Sequence, residues 1–135
     1  MNQHLKKQLF KKEYAAELLN IAKGDLESAE ALSKVSKGRP ENIVFLAQQS
    51  VEKSIKSVLI HLQVAFPLVH DLGILIALLP EEKAPQQGFS LTELNPFASA
   101  RRYEEGRIPL SSEEIQTSIE VAKKITDWAT KIIGK

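Results

Sequence analysis

Cysteine is absent from the 135 residues, which removes disulfides, thiolate metal sites and a thiol nucleophile in one step and fits a reducing compartment. A net charge is nearly absent too. Eighteen Lys and Arg stand against seventeen Asp and Glu, leaving +1, so bulk electrostatics give no reason for tight non-specific binding to nucleic acid. No apolar run approaches the ~18 residues of a membrane span. The start, MNQHLKKQLFKKEY, is polar and lysine-rich with no apolar signal-peptide core behind it, so the expectation is a cytoplasmic protein with no membrane contact. Internal repeats and low-complexity tracts are missing. So is any stretch alternating with period two for long enough to make a strand. There is no HExxH, no pair of histidines at ligand spacing and no glycine-rich phosphate loop, which argues against a metal hydrolase or a P-loop enzyme. No metal site and no cofactor is expected.

What is present is helical periodicity. The length suits one domain with a real core, read as residues 1–135 with 1–12 as a basic N-terminal extension. From Tyr14, the residues Leu18, Ile21, Ala22, Ala29 and Leu32 recur at helical spacing until Lys37-Gly38-Arg39-Pro40 breaks the pattern. Pro40 suits a first helical position, and the apolar stripe of Val44, Val51, Ile55, Val58, Leu59 and Leu62 predicts a helix over about 40–63. HDLGILIALLP predicts a third helix, apolar at nearly every position and so buried on most sides. Residues 81–88 read as a loop. Ser90 to Glu93 has capping-box form, and Asn95-Pro96 opens a further helix running through Tyr103 to Gly106. Ser111 and Glu114 repeat the capping-box spacing before a last helix, in which Ile115, Ile119, Ala122, Ala129 and Ile133 form one row with Ile125, Trp128 and Ile132 beside it. The fold class is all-α, an up-and-down bundle of four to five helices.

Two polar residues fall where these helices are apolar. On a wheel of 100° per residue, Gln48 lies among the stripe of the second helix and Asp25 within about 20° of Tyr14 on the first. A carboxylate removed from water needs a donor, and the Gln48 amide is a sensible one, so an Asp25–Gln48 hydrogen bond is expected across the two helices. Gln49, Glu52 and Lys56 extend a polar seam beside Gln48, whereas Lys53 projects from the opposite face and reads as solvated. A seam of this kind serves either helix register or a ligand.

Of the three histidines, His4 and His61 read as exposed bystanders, and His70 as a residue that caps or orients the start of the third helix. ARRYEEGR, Ala100 to Arg107, gathers three arginines and a tyrosine. Guanidinium planes and a phenol suit phosphates and bases, while Glu104 and Glu105 cancel most of the charge; the plainer alternative is a solvated helix end.

AQQSVEKSIKSVLI, then FPLVHDLGILIALL, then LNPFASARRY, resemble the HEPN domain family in order, spacing and helical placement, from about Tyr14 to Ile133. The resemblance implies an up-and-down bundle that forms a homodimer, and a small prokaryotic protein of the type paired with a minimal nucleotidyltransferase, many such pairs behaving as toxin-antitoxin modules. In the catalytic branch, the resemblance implies a metal-independent ribonuclease using an Arg followed after four to six residues by His. That motif is missing here. At the matching offset after Arg102 stands Arg107, and no histidine lies downstream. Arginine is a poor base near neutral pH, so no catalytic residue is assigned and the expectation is a non-catalytic protein. The motif-lacking branch implies a nucleotide or RNA ligand, which would fall to Gln48, Gln49, Glu52, Lys56, His70, Arg101, Arg102 and Tyr103. Two alternatives stand beside it: a ribonuclease toxin working through Arg102, Tyr103 and His70, and a ligand-free structural interaction module.

Overall fold

Pro40 begins the helix against which the others pack. In the computed structural model, which describes residues 6–35, 37–85 and 110–134, this helix, α2, spans Pro40–His61. Arg39 before it is extended (φ −99°, ψ 123°), as the residue ahead of a proline prefers, and Pro40 surrenders a donor that the first turn would leave unpaired anyway. The preceding helix, α1, spans Tyr14–Leu32. Between them the chain turns through Gly38, whose φ of 101° lies where a side chain would be strained.

The two helices form a hairpin, and small residues let them come close. Ser50 Oγ donates to the Ala22 carbonyl at 2.8 Å, and both residues are fully buried. The C-terminal helix, here α4, spans Ser112–Ile133 and packs against both α2 and α1. Its start is the capping box read from the sequence: Ser111 Oγ accepts from Glu114 N, and a Glu114 carboxylate oxygen accepts from Ser111 N, each at 3.0 Å. Gly134, at φ 93°, ends it in the left-handed conformation. The family of apolar positions expected on this helix is confirmed. Ile119, Ala122, Ile125 and Ala129 are buried, while Ile115, Trp128, Ile132 and Ile133 pack at the margin of the core.

Because α2 is covered by several neighbours, its stripe is completely enclosed: Val44, Ala47, Val51, Ile55, Val58 and Leu59 have no solvent exposure. Each of the Val, Ile and Leu side chains in this row contributes roughly 1.5–3 kcal/mol of transfer free energy, a large part of what stabilises the hairpin. On α1 the expected row is buried at Leu18, Ala22 and Ala29, but Ile21 (46% exposed) and Leu32 (37%) face outward. Leu32, at the end of α1, borders a cavity with Val35, Pro40 and Ile43 at the turn into α2.

Three expectations are corrected. The third helix, α3, covers only Leu72–Ala77, and Asp71, not His70, caps it by accepting from Ile74 N at 3.1 Å. Leu72, Leu75 and the following Leu79 are buried, whereas Gly73 and Ala77 are exposed, because so short a helix lies on α2 by one side only. The loop expected from residue 81 begins with a 3₁₀ turn, Glu81–Lys83, tied down where Trp128 Nε1 donates to the Lys83 carbonyl at 2.9 Å. Strands were not expected, yet β1 (Lys7–Gln8) pairs antiparallel with β2 (Phe66–Pro67). Two residues are too few to show any alternation.

That small ladder anchors part of the basic N-terminal extension. Phe10 stacks between Phe66 and Tyr14, with ring centroids 5.3 and 5.9 Å away, and Phe66 itself is buried. Gln63, at φ 59°, donates to both Phe10 O and Ile60 O. The capping box at Ser90–Glu93 and the helix expected over 95–106 lie outside the described residues. No described helix is long and apolar enough to cross a membrane. The capping box of α4 carries a direct test: Ser111→Ala should destabilise the protein by about 1 kcal/mol, read as a lower urea midpoint at unchanged m-value.

Candidate functional site

Glu52 is the one carboxylate among the expected site residues, and the fold buries it. α2 brings Glu52 and Lys56 to the same side one turn apart, and the link from β2 to α3 carries His70 over them. Glu52 Oε2 accepts from Lys56 Nζ at 2.8 Å and meets His70 Nδ1 at 2.9 Å. The Glu52 side chain is 4% exposed and Lys56 14%, whereas the His70 ring is 81% exposed. Burying a carboxylate costs several kcal/mol after relaxation, and two charge-assisted hydrogen bonds of roughly 1.5–3 kcal/mol each offset most of it. The remaining oxygen, Oε1, is buried with no hydrogen-bond partner.

The geometry sets the state of the imidazole. An ionised carboxylate can only accept, so Nδ1 carries the proton and Nε2 is left to face solvent. Lys56 spends one of three N–H bonds on Glu52 and keeps two. The cluster therefore offers an ammonium, an imidazole edge and a carboxylate oxygen side by side, a set that can hold an anion next to a hydrogen-bond donor. Among the described residues, no group of three or more His, Asp or Glu side chains converges.

Of the eight expected ligand-binding residues, Glu52, Lys56 and His70 come together. Gln48 and Gln49 are half-buried on α2, outside the hydrogen bonds of the cluster. Arg101, Arg102 and Tyr103 lie outside the described residues, as does His4.

The expected Asp25–Gln48 contact is replaced by another. Asp25 Oδ2 accepts from Lys53 Nζ at 2.8 Å, with 20% and 27% of the two side chains exposed. The sequence places Lys53 off the apolar stripe and so predicts a solvated side chain. Helical side chains, however, lean toward the N-terminus, and a lysine is long enough to reach back to α1 from that position. Asp25 does have a donor from the facing helix, but the donor is a cation instead of an amide. Glu41, in the first turn of α2, is a second buried carboxylate. It is 3% exposed and pairs with the exposed Arg39 guanidinium. A buried acid in the first turn of α2 is also favoured by the helix dipole.

His61, read as an exposed bystander, is half-buried at the end of α2. Burial lowers its pKa below the ordinary 6.5, and the positive charges of Lys12 and Lys83 push in the same direction. As pH falls through 6.5 the unfolded chain takes up this proton before the folded one does, so stability is lost on the acid side of that value.

Two measurements follow from these placements. Lys53→Met should cost about 1 kcal/mol by leaving Asp25 unpaired, while Gln48→Leu should stay within about 0.5 kcal/mol of the parent in the same urea titration. Lowering the pH from about 7.5 to about 5.5 should reduce the urea midpoint, and His61→Gln should shrink that reduction.

A family model for the HEPN domain matches residues 15–133. No curated protein and no solved structure matches the chain. The match spans α1 to α4 and includes the helix that carries Glu52 and Lys56 and the segment that carries His70. With most of its length covered by that model and an all-helical core of the corresponding kind, the chain belongs to the HEPN domain family.

Proposed function

We propose that the protein is a non-catalytic HEPN module that binds the phosphate of a nucleotide or of RNA at Lys56 and His70. The observation that carries this reading is the Glu52 carboxylate, buried and holding both residues by the same oxygen. It holds the Lys56 ammonium at the edge of the core, where a cation is only thinly hydrated and attracts an anion more strongly than on an open surface. The His70 edge, free at Nε2, stands next to it. The overall charge is too balanced to attract nucleic acid from a distance, so recognition would be local.

As a member of this family, the protein is proposed to act as a homodimer with a minimal nucleotidyltransferase partner, in the manner of a cytoplasmic toxin-antitoxin pair. Gln48 and Gln49 on the adjoining turn of α2, and Arg101, Arg102 and Tyr103, are the proposed additional contacts. Co-expression with a nucleotidyltransferase encoded beside it tests the partnership, and failure of the two to co-purify would count against it.

A second reading has one observation in its favour. Glu52 orients His70 as a carboxylate orients the imidazole in hydrolytic enzymes, with Nε2 outward and able to accept a proton. On that reading the protein cleaves RNA without the arginine-to-histidine spacing of the catalytic branch. One set of assays separates the two. The leading reading expects inorganic phosphate and short RNA to raise the melting temperature, Lys56→Met to weaken binding by about tenfold, and RNA to stay intact. RNA cleavage abolished by His70→Ala would replace it with the second reading. No melting shift with any of these ligands would leave a purely structural interaction module.

A further inference from the structure

The proposed anion site leaves one buried atom unexplained. Glu52 is 3% exposed, its Oε2 takes both available donors, and Oε1 has none. A buried carboxylate oxygen without a donor is costly, and such atoms concentrate where a ligand supplies what the protein does not. The His70 ring is the movable part of the enclosure, being largely exposed and held to Glu52 by its Nδ1 contact. Turning it outward opens the carboxylate, and rotation of the carboxylate group presents either oxygen.

Lys56 Nζ and the Glu52 carboxylate are themselves in contact, at 2.8 Å. A ligand meeting both must carry its anionic group and its donor on neighbouring atoms. A phosphate beside a free hydroxyl has that form, and in RNA the ribose 2′-hydroxyl lies next to the 3′-phosphate. Deoxyribose has no such hydroxyl. A phosphodiester with no neighbouring hydroxyl has no O–H to donate, so it would satisfy Lys56 and leave Oε1 without a partner.

We infer that Glu52 is a specificity residue: it accepts a hydrogen bond from the 2′-hydroxyl adjoining the phosphate held by Lys56, so the site prefers ribose to deoxyribose ligands. This deepens the anion-binding reading and rests on it.

The test is calorimetric titration of the full chain with adenosine 3′-monophosphate, its 2′-deoxy counterpart and inorganic phosphate. The two nucleotides share base and charge, so their ratio isolates the hydroxyl. The unaltered protein should bind the ribonucleotide about tenfold to a hundredfold more tightly than the deoxynucleotide, the range of a hydrogen bond to a charged acceptor. Glu52→Met, which has no oxygen to accept that bond, should bring the two affinities together, with its melting curve showing that it folds. Equal binding of both nucleotides by the unaltered protein would overturn the hydroxyl inference and leave the anion site standing. A preference that persists in folded Glu52→Met would remove Glu52 from the role. Failure of all three ligands, inorganic phosphate included, to bind would overturn both the inference and the site beneath it. If Glu52→Met does not fold, the comparison in the unaltered protein still decides whether the hydroxyl is read.

Discussion

A carboxylate cannot remain charged inside a helical core without donors, and Glu52 obliges the structure around it to provide them. It stands on α2, the helix enclosed by α1, α3 and α4, where water does not reach. Lys56, one turn onward, meets the need from within the helix. His70 meets it from outside, which requires the segment between β2 and α3 to lie across that part of α2. Each end of that segment is pinned. Phe66 is buried and stacked on Phe10 at one end, and Asp71 caps α3 at the other. The short ladder between Lys7–Gln8 and Phe66–Pro67 thus bears on the position of His70, although it lies at the far end of the connecting segment.

The same constraint is met differently at Asp25 and Glu41. Asp25 lies at the border of the α1–α2 contact, where Lys53 crosses from the facing helix and both side chains keep some access to water. That pair links the two helices with modest net stabilisation. Glu41 relies on its ion pair with Arg39 and on the dipole of the first turn, its oxygens having no hydrogen-bond partner. Neither of these two sites combines a buried acid with a second donor from a separate segment. Among the described residues, Glu52 is the buried acid whose hydrogen bonds join α2 to the β2–α3 link.

The helices were readable because burial imposes a period on apolar residues. α1, α2 and the capping box of α4 follow the sequence closely, since Pro40, Ser111 and Glu114 act on their own local backbone. The limits of α3 were less readable. A run of apolar residues says that something is buried but not how many neighbours bury it, and Gly73 and Ala77 proved to face water. The ladder at Lys7–Gln8 gave no signal, because pairing over two residues leaves no pattern in the chain.

For the candidate site, the helical spacing of Glu52 and Lys56 was enough to put them together, since residues four apart on a helix are neighbours whatever surrounds them. The sequence by itself therefore determined α1, α2 and α4, the apolar stripe of α2 and the acid–base pair beside it. Only the tertiary structure decided that His70 closes over that pair, that Lys53 and not Gln48 answers Asp25, and that Glu52 Oε1 is left without a donor. Those outcomes depend on the reach of side chains between segments far apart in the chain. A helical wheel gives the direction in which a residue leaves its own helix, but the residue it meets is set by how the helices pack.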